Sequence, residues 1–197
     1  MPYWTALSDT RFGTYVEYLA RLEFVRLGAD IYLPEVDDKG LDFIVRFPGP
    51  VYLEVQVKGR RQLNYFYISK EKFPMEEDRV LFLGLFLDKK KEEGDYFLIP
   101  ASAWKAPNKL FRDYPYDGKK SAPEWGLSFT PKTMPLLEPY RFHDSLKKLT
   151  AALKLGSSAT PHPAPQSSPL SAARGKISFH SDLTRPTLPD NGWKPSL

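Results

Sequence analysis

The stretch Val51-Tyr52-Leu53-Glu54-Val55-Gln56-Val57-Lys58 determines which fold this chain can adopt. Its apolar residues occupy the odd positions and its polar residues the even ones. This alternation is typical of a β-strand with one face in a core. The opposite face carries Glu54, Gln56 and Lys58 in a row. A solvated strand face would account for that row taken alone, so the surrounding residues decide whether it is a functional site.

The residues before this strand place an aspartate next to its polar face. Residues 41–47 read as a preceding strand, and the turn Pro48-Gly49-Pro50 joins it to Val51. Such a short connection favours an antiparallel hairpin. We therefore expect Asp42, at the start of the first strand, to lie beside Gln56.

An amphipathic helix precedes the hairpin. Ser8 or Asp9 is a suitable N-cap, and Gly28 is a suitable residue to end the helix. Glu17 lies at the flank of the apolar face, from which its carboxylate can reach over the sheet, whereas Glu23 lies nearer the centre. The apolar positions that recur at helical spacing are Phe12, Tyr15, Val16, Leu19, Leu22 and Leu27.

Further strands and a second helix are predicted along the rest of the chain. The strands are expected at residues 29–33, 65–68, 79–87, 95–100 and 125–130, and the helix at 142–155. The nearly all-apolar run at 79–87 indicates burial on both faces. Residues 105–140 otherwise read as irregular. This order of elements predicts a three-layer domain of the α/β or α+β class.

Composition excludes several kinds of site. The 197 residues contain no cysteine and three histidines, which excludes disulfide scaffolds, thiolate zinc sites, cysteine nucleophiles and a His-rich metal centre. No stretch is apolar enough to span a membrane, and Met1-Pro2-Tyr3-Trp4 does not read as the start of a secretory signal. We therefore expect a cytoplasmic protein with no membrane partner.

The chain changes character after Leu155. Residues 156–197 are dense in Pro and Ser, and they cannot bury enough apolar surface to offset the entropy cost of ordering. We predict a domain over 1–155 and a disordered tail over 156–197. Residues 176–180 in that tail could dock a protein partner, although a plain extension is the simpler interpretation.

The net charge of +4 is shared between these two parts. Four of the 28 basic and two of the 24 acidic residues lie in the tail, so half of the net charge belongs to the body. A body so close to neutral cannot bind nucleic acid through its overall field. Any such contact must use a local basic patch.

The polar face of the hairpin carries atoms that a hard divalent cation binds. Mg²⁺ prefers oxygen ligands and keeps several waters when one or two carboxylates hold it. Asp42, the amide oxygen of Gln56 and the carbonyl of Val57 would supply such a set, with Lys58 as a point charge beside the phosphate or the attacking water. Glu54 lies about 6.5–7 Å from Gln56 along the strand, which favours a supporting role over direct ligation.

Several of these residues follow one another in a recognisable order: Gly13-x3-Glu17-x2-Ala20, then Gly28, Gly40-x-Asp42 and Glu54-x-Gln56-x-Lys58. This pattern resembles the PD-(D/E)XK nuclease superfamily. It is most similar to branches with glutamine in place of the last acid, such as Mrr-type restriction endonucleases, and also to Holliday junction resolvases. The resemblance covers residues 9–100 and implies a restriction-endonuclease-like core, in which helices flank a mixed central sheet. Residues 101–155 would be a C-terminal elaboration.

The resemblance also implies roles for single residues. Glu17 corresponds to the helix glutamate, and its spacing to Gly28 favours it over Glu23. Asp42 corresponds to the metal-binding aspartate. The catalytic (D/E)xK tripeptide falls on Gln56-Val57-Lys58, where glutamine leaves less negative charge at the metal. Glu54 either makes up for that charge as a further ligand or supports the site from behind.

The implied activity is Mg²⁺- or Mn²⁺-dependent hydrolysis of phosphodiester bonds, in a DNA endonuclease. Arg60 and Arg61 follow the candidate site and are good candidates for phosphate contacts. Lys119 and Lys120, among tyrosines, predict either a nucleic-acid groove with stacking aromatics or a plain surface loop. The alternative class is a non-catalytic module on a degenerated nuclease fold that binds nucleic acid or protein. The sequence leaves open whether the chain forms a homodimer.

Overall fold

A computed structural model describes residues 1–36, 39–49, 51–118 and 120–157 of the chain. In this part of the chain the helices and strands are α1 (Asp9–Arg26), β1 (Asp30–Tyr32), β2 (Phe43–Phe47), β3 (Val51–Arg60), β4 (Tyr65–Ser69), β5 (Arg79–Leu85), β6 (Asp95–Pro100), β7 (Phe111–Tyr114), β8 (Glu124–Ser128) and α2 (Phe142–Ser157). Short 3₁₀ helices span Tyr3–Ala6, Ala101–Lys105 and Met134–Tyr140. The predicted tail lies outside the described residues from residue 158 onward.

Five strands form the central sheet, in the order β1-β2-β3-β5-β6. β3 and β5 run parallel and the other neighbours run antiparallel, which confirms the predicted mixed sheet. The parallel pair places Glu54 opposite Arg79 and Lys58 opposite Leu83. All seven residues of β5 are buried, as the apolar run in its sequence predicts.

Both helices pack on one face of this sheet. Ser8 caps α1 by accepting a hydrogen bond from the backbone N–H of Arg11. The ring of Phe24 in α1 lies 5.1 Å from that of Phe142 in α2 and 5.9 Å from that of Phe43 in β2. Among the described residues, no helix combines the length and the apolar character needed to cross a membrane.

The buried face of α1 differs from the predicted one. Leu22 and Leu27 are 44% and 42% exposed, whereas Val16, Ala20 and Phe24 are fully buried. Steps of four residues define the face because side chains four apart lie above one another on a helix. Val16 packs directly against Gly59 of β3. A Cβ at position 59 would lie only 2.7 Å from Val16 Cγ2, so glycine in the strand permits this close packing.

A second sheet covers the other face of the central sheet. Its three strands are antiparallel and lie in the order β4-β8-β7. The core between the two sheets contains Phe66, Phe111 and Leu127 from the small sheet and Leu81 and Leu83 from β5. The described part of the chain therefore has three layers: helices, central sheet and small sheet. This agrees with the three-layer α/β or α+β domain that the sequence predicts.

The C-terminal elaboration supplies β7, β8 and α2. β8 corresponds to the strand predicted at 125–130, but β7 lies within a region predicted to be irregular. That strand is four residues long and includes Arg112 and Asp113, so it offers no alternating apolar pattern to detect.

Candidate active site

Asp42 lies immediately before β2, where β3 extends beyond the start of its neighbour. Phe43 pairs with Val55, and the backbone N–H of Asp42 donates to the Val55 carbonyl at 3.0 Å. The backbone N–H of Val57 donates to Asp42 Oδ2 at 2.5 Å. The hairpin therefore brings Asp42 beside the strand that carries Gln56, as the sequence predicts.

The carbonyl of Val57 is directed to the same edge. In a β-strand, the N–H and C=O of one residue point to the same side, and successive residues alternate. The Val57 N–H points to Asp42, so its C=O also points toward the open edge beyond β2. The opposite edge of β3 faces β5, where the Arg60 carbonyl accepts a hydrogen bond from Phe86 at 2.8 Å.

Gln56 contributes a buried oxygen with no partner. Its residue is 5% exposed, and its Oε1 has no hydrogen-bond partner among the described residues. Leaving such an acceptor unpaired costs about 1–3 kcal/mol. Buried acceptors without a partner are uncommon in native folds, and a bound water or cation is one way to satisfy such an oxygen.

The turn before Asp42 depends on a glycine. Gly40 has φ +62°, a left-handed conformation that favours glycine. A Cβ on this residue would lie 2.9 Å from the Cβ of Lys72 and 3.0 Å from Nε2 of Gln56. Glycine therefore allows the turn to pack directly against the Gln56 side chain.

Lys58 lies on the same face of β3 as Gln56. It is half-buried and pairs in register with Leu83 of β5. No ion pair or hydrogen bond joins its side chain to another described residue, and its predicted contact with a phosphate stays a prediction.

Glu17 is half-buried on α1. Phe24 lies two helical turns further along and therefore on the same flank as Glu17. Its ring contacts Phe43 of β2 and also Phe82 of β5, so the predicted role of Glu17 at the site stays a prediction. Glu23 instead accepts a hydrogen bond from Arg26 at 2.8 Å.

Glu54 is engaged by a buried arginine that the sequence analysis did not single out. Arg79 is 1% exposed, and its Nη1 donates to Glu54 Oε2 at 2.9 Å. Its Nη2 donates to the carbonyls of Lys39, Gly40 and Lys72 at 2.9, 3.1 and 2.6 Å. The pairing favours the supporting role for Glu54 over direct ligation. A charge at the start of an otherwise apolar strand was the one sequence signal for Arg79.

Arg61 is occupied by the N-terminal segment. Its Nη1 donates to the Leu7 carbonyl at 2.8 Å, its Nη2 pairs with Asp9, and its guanidinium lies 4.6 Å from the centre of the Phe12 ring. These contacts hold the start of α1 against the end of β3. A phosphate contact by Arg61 would have to compete with these contacts, and the predicted phosphate contacts of Arg60 and Arg61 stay predictions.

Arg60 lies in a polar cavity of about 670 Å³ at the end of β3. Its Nη2 donates to Asn64 Oδ1, and its guanidinium lies 5.2 Å from the centre of the Phe66 ring. Burial lowers the pKa of this guanidinium. Gly13 and Lys89 also line the cavity, but Asp42, Gln56 and Lys58 do not.

Of the two lysines predicted to contact nucleic acid, only Lys120 belongs to the part of the chain that the structure describes. Lys120 is exposed in the segment between β7 and β8. Lys119 lies outside the described residues, so its predicted contact stays a prediction.

The oxygen atoms of these residues are of the kind that a hard divalent cation prefers. The Asp42 carboxylate and the Val57 carbonyl share the open edge, and Gln56, the residue before Val57, carries a buried Oε1 with no partner among the described residues. Within the described ranges, no group of three or more His, Cys, Asp or Glu side chains could hold a metal ion. A cation at this edge would therefore depend on amide and backbone oxygens as well as carboxylate.

Comparison with known proteins gives likenesses of fold. No protein-family model matches the chain, and no curated protein matches it. Among solved structures, the chain is similar to Hjc, a Holliday junction resolvase of Archaeoglobus fulgidus, with 16% identity and a TM-score of 0.41 over 63% of this chain and 88% of that one. It is also similar to a bacterial homing endonuclease, with 14% identity and a TM-score of 0.46 over 79% of this chain and 100% of that one.

Proposed function

We propose that the chain is a divalent-cation-dependent nuclease that cuts phosphodiester bonds within DNA. The observation that carries this proposal is the hydrogen bond from the Val57 N–H to Asp42 Oδ2 at 2.5 Å, on the strand where Gln56 carries a buried oxygen with no partner among the described residues. Lys58, on the same face of the strand, adds a cation where a phosphate would be bound.

Asp42, Gln56 and the carbonyl of Val57 would hold Mg²⁺ or Mn²⁺. When bound at such a site, the ion neutralises charge that develops on the phosphate and activates water for attack. Glu17, on a flank of α1, would orient a water molecule or help to hold a second ion. The roles of Asp42 and Val57 are supported by their positions at the open edge of β3.

Lys58 and Arg60 would act on the substrate. The Lys58 ammonium would lie beside the non-bridging oxygens of the scissile phosphate, where negative charge increases in the transition state. Arg60 would contact a neighbouring backbone phosphate from the polar cavity. Both side chains are on the same face of β3, two residues apart, so one strand would align the substrate with the cation.

Gln56 motivates the alternative class of function. An amide in place of a carboxylate leaves one negative charge fewer, so a cation should bind more weakly than it would to two acids. A chain that has lost the cation altogether would be a non-catalytic module that binds nucleic acid or protein. The two functions differ in whether the open edge binds a divalent ion.

Cleavage of supercoiled plasmid in the presence of Mg²⁺ or Mn²⁺ tests the proposal. We expect nicked and linear products from the wild-type chain and from Glu77→Ala, which removes an exposed acid outside the site. Asp42→Ala should give no product. Cleavage that persists in Asp42→Ala would come from a contaminant and would overturn the proposal.

Calorimetric titration with Mn²⁺ separates the proposal from the alternative. We expect saturable binding by the wild-type chain that is lost in Asp42→Ala and kept in Glu77→Ala. Absence of binding by the wild-type chain, together with retained affinity for DNA, would instead establish the non-catalytic module.

A further inference from the structure

Four tyrosines form a surface on the outer face of the small sheet, and we call it the tyrosine platform: Tyr65, Tyr67, Tyr114 and Tyr116. Alternate residues of β4, β7 and β8 point away from the core. On this outer face, Tyr65, Tyr67 and Tyr114 are 42%, 61% and 37% exposed. The inner face of the same strands is buried against the central sheet. The platform is therefore a layer of aromatic rings on the surface.

A buried carboxylate holds two of these rings in place. Glu124 is 8% exposed, and its Oε1 accepts hydrogen bonds from the hydroxyls of Tyr65 and Tyr116. The ring of Tyr65 lies across Gly126. A Cβ at position 126 would lie only 2.6 Å from the Tyr65 hydroxyl, so glycine is needed beneath this ring. Burial, followed by the hydrogen bond to Glu124, raises the pKa of Tyr65 and of Tyr116. These hydroxyls are thus turned toward the sheet, and the ring faces are left at the surface.

The rings are also packed on one another. Tyr114 and Tyr116 are stacked, with centroids 5.6 Å apart and planes at 11°, and Tyr65 meets Tyr114 edge-on at 6.3 Å. Tyr116 has φ 53°, which is strained for a bulky residue. Strain of this kind persists where the surroundings enforce it, and it often accompanies binding sites. Here the stack on Tyr114 and the bond to Glu124 enforce it.

One cation lies among the exposed rings. Arg112 of β7 and Tyr67 of β4 both pair with Gly126 of β8, so they lie on the same row across the sheet. Arg112 is exposed and has no ion-pair partner among the described residues. The acid of this outer face, Glu124, is buried under tyrosine hydroxyls. The strand residues of the platform therefore present a positive charge to solvent.

We propose that the tyrosine platform binds unpaired bases of single-stranded DNA, with bases on the ring faces of Tyr67 and its neighbours and a backbone phosphate on Arg112. Base–aromatic stacking tolerates any sequence because every base has a π-face, and a cation beside the rings contacts the phosphates. Duplex DNA keeps its bases stacked internally and offers the rings nothing to stack on.

A protein partner fits the platform less well. Tyrosines at protein interfaces generally use both the ring and the hydroxyl, which bonds to the partner. In this platform Tyr65 and Tyr116 direct their hydroxyls to Glu124, so two of the four tyrosines offer a partner their rings and not their hydroxyls. The inference rests on the proposed function only in the choice of DNA as the nucleic acid, and it adds that the substrate has an unpaired segment.

Fluorescence anisotropy of a labelled oligothymidylate of about 16 nucleotides, measured in EDTA, tests the inference. EDTA separates binding from cleavage. We expect the wild-type chain to bind this strand, Tyr67→Ala and Arg112→Ala to weaken binding about tenfold or more each, and Tyr67→Phe to restore it. Tyr18→Ala removes a tyrosine that is 63% exposed on α1, and it should bind as wild type does.

Three results with DNA would overturn the inference. The first is failure of the wild-type chain to bind the single strand, and the second is wild-type affinity for that strand in Tyr67→Ala. The third is a loss of affinity in Tyr67→Ala that is equally large for a duplex of the same length. Capture of a protein through this face in place of DNA would also overturn it. Asp42→Ala should still bind the single strand. Failure of the proposed nuclease activity can therefore be distinguished from failure of single-strand binding by the platform.

Discussion

The guanidinium of Arg79 joins Glu54 to the turn that carries Asp42. Its Nη1 donates to Glu54 at 2.9 Å, and its Nη2 donates to the carbonyl of Gly40, two residues before Asp42, at 3.1 Å. Glu54 in turn lies two residues before Gln56 in β3. One buried side chain therefore connects both halves of the candidate site, and we infer that Arg79 is a positioning residue.

Replacement of Arg79 should be severely destabilising. Arg79→Met removes the charge and leaves Glu54 and three backbone carbonyls without their donor. Breaking a buried, hydrogen-bonded pair typically costs about 3–5 kcal/mol, and the free energy of unfolding in urea should fall by that order. Arg46→Met removes an exposed arginine of β2 and should change this free energy by no more than about 0.5 kcal/mol. Similar values for the two variants would show that Arg79 does not clamp the turn.

Replacement of Gly40 should reduce both the stability of the fold and the affinity for Mn²⁺, because this glycine has a left-handed conformation and also packs on Gln56. Gly40→Ala introduces a Cβ at φ +62° and within 3.0 Å of the Gln56 amide, whereas Gly28→Ala does so at φ +78° with no atom within 4 Å. Both variants should lose about 1 kcal/mol or more of stability from backbone strain. Only Gly40→Ala should also displace Gln56 and lose Mn²⁺ affinity in calorimetry. Equal ion affinity in the two variants would contradict the packing of the turn on Gln56.

Lys58 and Glu54 lie on one face of β3, but their replacement should have different effects on ion affinity and on turnover. Lys58→Ala should leave ion affinity unchanged or raise it, because it removes a cation from beside the ion. Its turnover should fall about 10²–10³-fold, since a partner of the developing charge is lost. Glu54→Gln should leave ion affinity nearly unchanged, because Glu54 is paired with Arg79. Calorimetry and single-turnover cleavage measure the two quantities, and an equal loss of ion affinity in both variants would exclude this division of roles.

A carboxylate at position 56 should make stability depend on the cation. Gln56→Glu places a second acid beside Asp42 in a buried position, which is unfavourable without a counter-charge. The unfolding temperature in EDTA should therefore fall below that of the wild-type chain. Added Mg²⁺ should raise it by more than it raises the wild-type value, since a ligand bound only by the folded state stabilises it.

Gln56→Asn is the matched control for this variant, because it shortens the side chain without adding charge. Its unfolding temperature should not gain from Mg²⁺. A Gln56→Glu chain as stable in EDTA as the wild-type chain would place position 56 outside the cation site.

The sequence by itself determined the local parts of this protein. Strict alternation predicts β3, the short turn predicts its pairing with β2, and Ser8 and Gly28 mark the ends of α1. These features depend on residues within a few positions of one another, so a single chain displays them directly. The hairpin then places Asp42 beside Gln56 with no need for distant contacts.

Only the tertiary structure decided what surrounds those parts. The donors of Arg79 reach residues 25, 39 and 40 positions away in the chain, and no local pattern encodes such pairs. Glycines in β3 and β5 leave space for Val16, and this packing determines which face of α1 is buried. Pairing of β4 with β8, which are far apart in sequence, brings the tyrosines of the platform together. Packing between elements is a property of their surfaces in three dimensions, whereas periodicity reports a single element at a time.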